Sequence, residues 1–178
     1  MASSVINDLA KISIIGYPAV GKTTMVKLLS GKDIDRYYVP TQGFDLKHVE
    51  LGKYNIKIWD FGGQTSYLNY LEEYLAGSDI VFIVVDSTPR NVLNSRKLIE
   101  MTNKVIEDDC PIVAIANKQD LCMDINGRMS QKLVEDLLQI KTYGLTAINP
   151  SNRGKLMEII ESELNLVLKR KRLKENEL

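Results

Sequence analysis

Gly16-Tyr17-Pro18-Ala19-Val20-Gly21-Lys22-Thr23 has the spacing G-x-x-x-x-G-K-[ST]. Residue types at that spacing can do one kind of chemistry well. Successive backbone N–H groups turn inward, a helix start adds the positive end of its dipole, and the concavity takes phosphate oxygens. The expected cradle runs through Tyr17, Pro18, Ala19, Val20, Gly21, Lys22, Thr23 and Thr24. Lys22 brings a cation to the β- and γ-phosphates, and Thr23 brings a hydroxyl to Mg²⁺.

A second set lies far along the chain. Asn117-Lys118-Gln119-Asp120 fits N-K-x-D. The carboxylate of Asp120 can accept from both the ring N–H and the exocyclic amine of guanine. Adenine offers no such donor pair and would leave the carboxylate unpaired. The aliphatic stem of Lys118 can cover the base plane. The backbone N–H of Ala147, in Thr146-Ala147-Ile148, is the expected donor to the guanine carbonyl, although Gly144 to Ala147 reads equally as a plain strand end. Phosphate loop and base motif together imply GTP and GDP as ligands.

Between the two sets, Asp60 ends an apolar run and is placed to hold Mg²⁺ directly or through a water. Phe61-Gly62-Gly63-Gln64 follows. Gly63 has no Cβ to keep its N–H from a γ-phosphate, and Gln64 has both a donor and an acceptor with which to orient an attacking water. Thr41 follows Pro40. Taken alone it reads as a turn threonine, although its hydroxyl and N–H could close on Mg²⁺ and the γ-phosphate and release when that phosphate is lost.

Elements must position these groups. Ile12–Ile15, Ile56–Trp59, Ile80–Val85 and Ile112–Ala116 are short, β-branched and bounded by Gly, Asp, Asn or Pro, as buried strands are. Thr23–Leu29, Val92–Ile106, Ser130–Leu138 and a last stretch from about Asn152 to Leu173 have helical spacing. Alternation of the two predicts an α/β fold with a mostly parallel six-stranded sheet and helices on both faces. Phe44–Glu50 and Tyr54–Asp60 flank Leu51-Gly52-Lys53, a hairpin that adds one antiparallel edge strand. Asp124-Ile125-Asn126-Gly127 resembles the start of a calcium loop but lacks the distal Glu, so a turn is expected.

The 178 residues suggest one domain, with residues 1–10 a short extension before the first strand. Formal net charge is zero, so no global field draws nucleic acid or anionic lipid, and no nucleic-acid partner is expected. The two cysteines, Cys110 and Cys122, fit no metal spacing and are expected as free thiols. No apolar run reaches the roughly 18 residues of a membrane span, and the start lacks a signal-peptide core. The basic end, Lys169-Arg170-Lys171-Arg172 with Lys174, reads either as a solvated last turn or as a patch for a membrane surface or partner.

Taken together these residues resemble the Ras-like small GTPases and, within them, the Arf and Arf-like family. Trp59-Asp60-Phe61-Gly62-Gly63-Gln64 matches W-D-x-G-G-Q, where Ras and Rab relatives carry D-T-A-G-Q. Val39-Pro40-Thr41-Gln42-Gly43-Phe44 is similar to I-P-T-x-G-F, Val85-Asp86-Ser87 to V-D-S, and Asn117 to Leu121 to N-K-Q-D-L. The resemblance covers about Lys11 to Leu168. It implies a P-loop G domain in which Thr41 is the switch threonine and Gln64, with Lys22, serves hydrolysis. It implies Thr23, Thr41 and Asp60 around Mg²⁺. It also implies that Phe44, Trp59 and Tyr74 form the surface read by an exchange factor, an activating protein and effectors. Three departures stand out. Ala2 replaces the glycine that carries a myristoyl group, so no lipid anchor is expected. No amphipathic helix precedes the first strand. Pro18 stands where Arf proteins have Asp, removing an N–H and fixing φ. The expected function is an Arf-like GTPase switch in the cytoplasm, with membrane contact only through a partner or the basic end. The alternatives are a non-hydrolysing, nucleotide-locked receptor or scaffold subunit, and a P-loop ATPase or kinase.

Overall fold

A computed structural model describes residues 9–34, 44–51, 54–61, 70–122 and 127–176. Its strands are Leu9–Ile15 (β1), Phe44–Leu51 (β2), Tyr54–Phe61 (β3), Ile80–Val85 (β4), Ile112–Ala116 (β5) and Thr142–Gly144 (β6). Its α-helices are Lys22–Leu29 (α1), Leu71–Leu75 (α2), Pro89–Asn103 (α3), Gln131–Leu138 (α4) and Arg153–Asn176 (α5). Among the described residues the strands form one six-stranded sheet in the order β2-β3-β1-β4-β5-β6. β2 and β3 pair antiparallel, and every other neighbour is parallel. This is the mixed sheet expected from the sequence, hairpin included.

The sheet divides the core in two. On one face Ile12, Ile14, Ile58, Phe82, Val84 and Ile115 meet α1 and α5 through Met25, Leu29, Leu156, Ile160 and Leu164. On the other, Ile15, Val81, Ile83, Val85 and Ala114 meet α2, α3 and α4 through Leu71, Leu75, Val92, Leu98, Val134 and Leu138. All six residues of β4 are buried, which accounts for its unbroken apolar run. β1 lies in the middle of the order, with β3 on one side and β4 on the other. α1, which follows β1, covers one face, while α2 and α3 cover the other. The crevice beyond the carboxyl end of β1 is therefore the switch point of the sheet, where open α/β folds bind ligands.

Boundaries differ from the sequence reading most at β1 and α3. β1 starts at Leu9 rather than Ile12, because β3 is long enough to pair with it from Asn55 onward. α3 spans Pro89–Asn103 rather than Val92–Ile106. It starts earlier because Thr88 caps it by accepting from the Asn91 N–H and Pro89 takes the first turn. It ends earlier because the Lys104 and Val105 N–H groups tighten to i→i−3 bonds, on the Met101 and Thr102 carbonyls. The calcium-loop-like residues 124–126 and the hairpin tip, 52–53, lie outside the described residues.

Both cysteines are free thiols, as expected. Cys110 is 7% exposed. Burial, with the Asp79 and Asp109 charges, pushes its thiol up to about 12. Burial also raises Cys122, which is only partly covered. A thiol reagent at pH 8 is expected to leave Cys110 unmodified in the native protein and to modify both cysteines after unfolding. Native-state labelling of Cys110 as fast as Cys122, read by mass spectrometry, would contradict this packing.

Candidate nucleotide site

The phosphate loop connects β1 to α1 at the sheet's switch point. Gly16 comes so close to β4 that a Cβ there would lie 2.4 Å from the Val84 carbonyl oxygen. Lys22 is buried, and its ammonium donates back to the Gly16 and Tyr17 carbonyls, both at 3.0 Å. The loop is thus closed around its own cation. Ala19 adopts φ 61° and Gly21 φ 100°, and no side chain caps α1. The start of α1, with the positive end of its dipole, faces the loop. Pro18 is exposed at the loop's turn. The Tyr17 hydroxyl donates to the Asn94 carbonyl of α3 at 3.3 Å.

The base loop is built by β5 and β6. Asn117 follows β5 and is 3% exposed. Its Nδ2 donates to the Val20 carbonyl of the phosphate loop at 2.9 Å, and its Oδ1 accepts from the Ala147 N–H at 2.9 Å. Lys118 reaches the same loop, donating to the Ala19 carbonyl at 2.7 Å. Its backbone is left-handed, φ 63°. Burial lowers its ammonium below the usual lysine value, while the Asp86 carboxylate opposes the shift. The Lys118 stem is therefore anchored at both ends, at the base loop and on the phosphate loop. Asp120 is exposed, and its N–H donates to Thr146 Oγ1 at 3.2 Å. The N–H expected to read a guanine carbonyl, that of Ala147, is here donated to Asn117.

Sequence reasoning missed a supporting set. Ser87, buried with φ 66°, donates from Oγ to the Asn117 carbonyl at 2.6 Å. Gln119 Nε2 donates to Ser87 Oγ and to the Met129 carbonyl, and Gln119 Oε1 accepts from the Gln131 N–H. The variable position of N-K-x-D is thus structural in this chain. Nothing in the motif's spacing marks it. Arg128 donates to the Asp86 carbonyl and braces the same corner.

On the metal side, Asp60 stands in β3 in register with Ile14 of β1, two residues before Gly16, and Thr23 lies in the first turn of α1. Both positions belong to the same end of the sheet, and both residues carry oxygen donors, as Mg²⁺ requires. Thr41, Gly63 and Gln64 lie outside the described residues. Of the expected partner surface, Phe44 and Trp59 stand on paired strands, where Phe44 is in register with Phe61 and Trp59 with Leu46. Tyr74 is half-buried on α2, its ring 6.0 Å from that of Tyr70. At the basic end, Lys171 pairs with Asp79 and Lys174 lies 3.4 Å from Asp109. Those two lysines serve the fold.

A phosphate cradle and a base loop at the switch point of a mixed α/β sheet define a P-loop nucleotide-binding domain. Residues 2–167 match the family model described as the ADP-ribosylation factor family. ADP-ribosylation factor-like protein 3 of Chlamydomonas reinhardtii is 38% identical over 115 residues, covering 63% of this chain and 64% of that protein. The protein of the same name from Caenorhabditis elegans is 32% identical over 142 residues, 77% of this chain and 76% of that protein. The chain thus spans just under two thirds of the first relative's length. It belongs to the ADP-ribosylation factor family of small GTPases.

The packing of Gly21 against Asn117 can be tested. A Cβ at Gly21 would lie 2.3 Å from Asn117 Nδ2. Gly21→Ala is expected to cost about 2–3 kcal/mol, from left-handed strain plus that clash. In an Asn117→Ala background the same change is expected to cost about 1 kcal/mol less, because the clashing amide is gone. Denaturant unfolding of the four proteins would measure this, and strict additivity would contradict the contact.

Proposed function

We propose that this chain is a guanine-nucleotide switch that binds GTP and GDP with Mg²⁺, hydrolyses GTP slowly and changes its affinity for partners with the nucleotide. The observation that carries the reading is the pair of ties from Asn117 and Lys118 to the phosphate loop. Ties of that kind support reading the two loops as one site, for a ligand with phosphates at one end and a base at the other. Asp120 gives that base its identity as guanine.

In this reading Lys22 neutralises charge on the β- and γ-phosphates, and the uncapped start of α1 donates N–H groups to them. Thr23, Asp60 and Thr41 would hold Mg²⁺, which supplies further charge neutralisation when bound. Gln64 orients the water. Gly63 offers its N–H to the γ-phosphate, so loss of that phosphate releases the segments carrying Thr41 and Gln64. Ala147 reads the guanine carbonyl once its N–H is shared between Asn117 and the base. No arginine occurs in the phosphate loop, residues 16–24, and an activating partner is expected to supply one. Exchange factor and effectors would meet the surface of Phe44, Trp59 and Tyr74. A cytoplasmic protein reaching membranes through a partner fits the two lysines of the basic end that are held by Asp79 and Asp109.

Purified protein is expected to carry guanine nucleotide and to exchange it against GTP but not against a comparable excess of ATP. On GTP-loaded protein, Gln64→Leu should slow single-turnover hydrolysis about tenfold or more. Equal and negligible rates for both proteins would favour the nucleotide-locked scaffold, and ATP competing as well as GTP would sink the guanine reading.

A further inference from the structure

A polar node built on one buried carboxylate lies away from the loops just described. Glu163 of α5 is 4% exposed, on a helix whose nearby Ile159, Ile160 and Leu164 belong to the core. Its Oε1 accepts from the Tyr143 hydroxyl at 2.5 Å and from the Lys141 ammonium at 2.5 Å. That ammonium also sits 5.2 Å from the centroid of the Tyr143 ring. Hydrogen bonds to Glu163 and Tyr143 raise the Lys141 ammonium above the usual lysine value. Two side chains thus close on one carboxylate oxygen between β6 and α5.

The position of this node matters more than its energy. With Lys141 half exposed and only Glu163 buried, the ion pair is weak evidence for stability. The best-attested use of such a pair is to fix a registry. β6 is the element here that needs one. It is three residues long and last in the sheet order, so it has a strand neighbour on one side only. Beyond β5, it is held by α4, where Gln131 Nε2 donates to the Thr142 carbonyl at 2.9 Å, and by α5 through Glu163. The residues that follow β6 directly are those that seat the base loop. The Leu145 carbonyl accepts from the Gln119 N–H, Thr146 Oγ1 accepts from the Asp120 N–H, and the Ala147 N–H reaches Asn117. A slip of β6 along α5 would pass into all three.

We propose that Glu163 is a positioning residue for base recognition: by holding Tyr143 and Lys141 it sets β6 against α5, and so seats Thr146 and Ala147 beside Asp120. This rests on the reading of the site as a guanine site. Glu163 touches no part of the ligand and acts only through β6.

The test is the ratio of GDP to IDP affinity, because IDP lacks the exocyclic amine that Asp120 recognises. Glu163→Leu is expected to speed GDP dissociation and to reduce the GDP:IDP ratio by about threefold or more, the size of a contact-coupled perturbation. Tyr143→Phe removes one hydroxyl, and should move both quantities in the same direction in a protein that still folds. The double variant should be no worse than Glu163→Leu alone. Glu163→Gln keeps an acceptor for Tyr143 and should fall between wild type and Glu163→Leu. Folded Tyr143→Phe and Glu163→Gln proteins with lowered melting temperatures but wild-type GDP:IDP ratios would overturn the proposal, leaving Glu163 a purely structural residue. A wild-type protein that does not prefer guanine would overturn the parent reading instead, and this one with it.

Discussion

The site depends on one buried carboxamide. Asn117 is satisfied at both ends, donating to the Val20 carbonyl and accepting from the Ala147 N–H, while Ser87 holds its own carbonyl. Those partners belong to the loops after β1, β6 and β4. Truncating the side chain would orphan a buried acceptor and a buried donor at once, and each orphan costs about 1–3 kcal/mol. A hydrophobic replacement has no way to repair this, because the partners are backbone groups that stay polar. The phosphate loop and the base loop therefore cannot relax independently.

The two-faced core explains how distant pieces of chain arrive at that residue. The loops come from strands packed against helices on opposite faces of the sheet. β4, buried from end to end, fixes the middle of the sheet, and the Gly16 loop lies against its end. The far end of the sheet is fastened separately. Lys11 donates from its ammonium to the Tyr74 and Ala76 carbonyls at the end of α2, and Asp79 accepts from the Lys11 N–H and from Lys171 of α5.

Much of the fold was legible because strands buried on both faces, β4 above all, write themselves as unbroken β-branched runs, and the hairpin declared itself by two alternating stretches around a short link. The start of α3 was legible too, in Thr88-Pro89, although periodicity alone placed it three residues late. α2 was not, since five residues without a side-chain cap give no periodic signal. At the site, residue types and spacing were enough to pick out Lys22, Asn117, Lys118 and Asp120. They did not disclose that Gln119 is a brace, that Lys118 reaches Ala19, or that Asn117 already occupies the Ala147 N–H. Those facts depend on which strands become neighbours. The Lys141–Tyr143–Glu163 node had no sequence signature, because its members share neither a period nor a motif. Thr41, Gly63 and Gln64 keep the standing that the family resemblance gives them.

The central claim is that Asn117 makes the two loops one unit. Amide hydrogen exchange measures it directly, in wild type and in Asn117→Ala at matched nucleotide occupancy. The phosphate-loop amides from Val20 to Lys22 and the base-loop amides from Leu145 to Ala147 are predicted to lose protection together and by similar factors. Loss confined to the base loop, with the phosphate loop as protected as in wild type, would contradict the account.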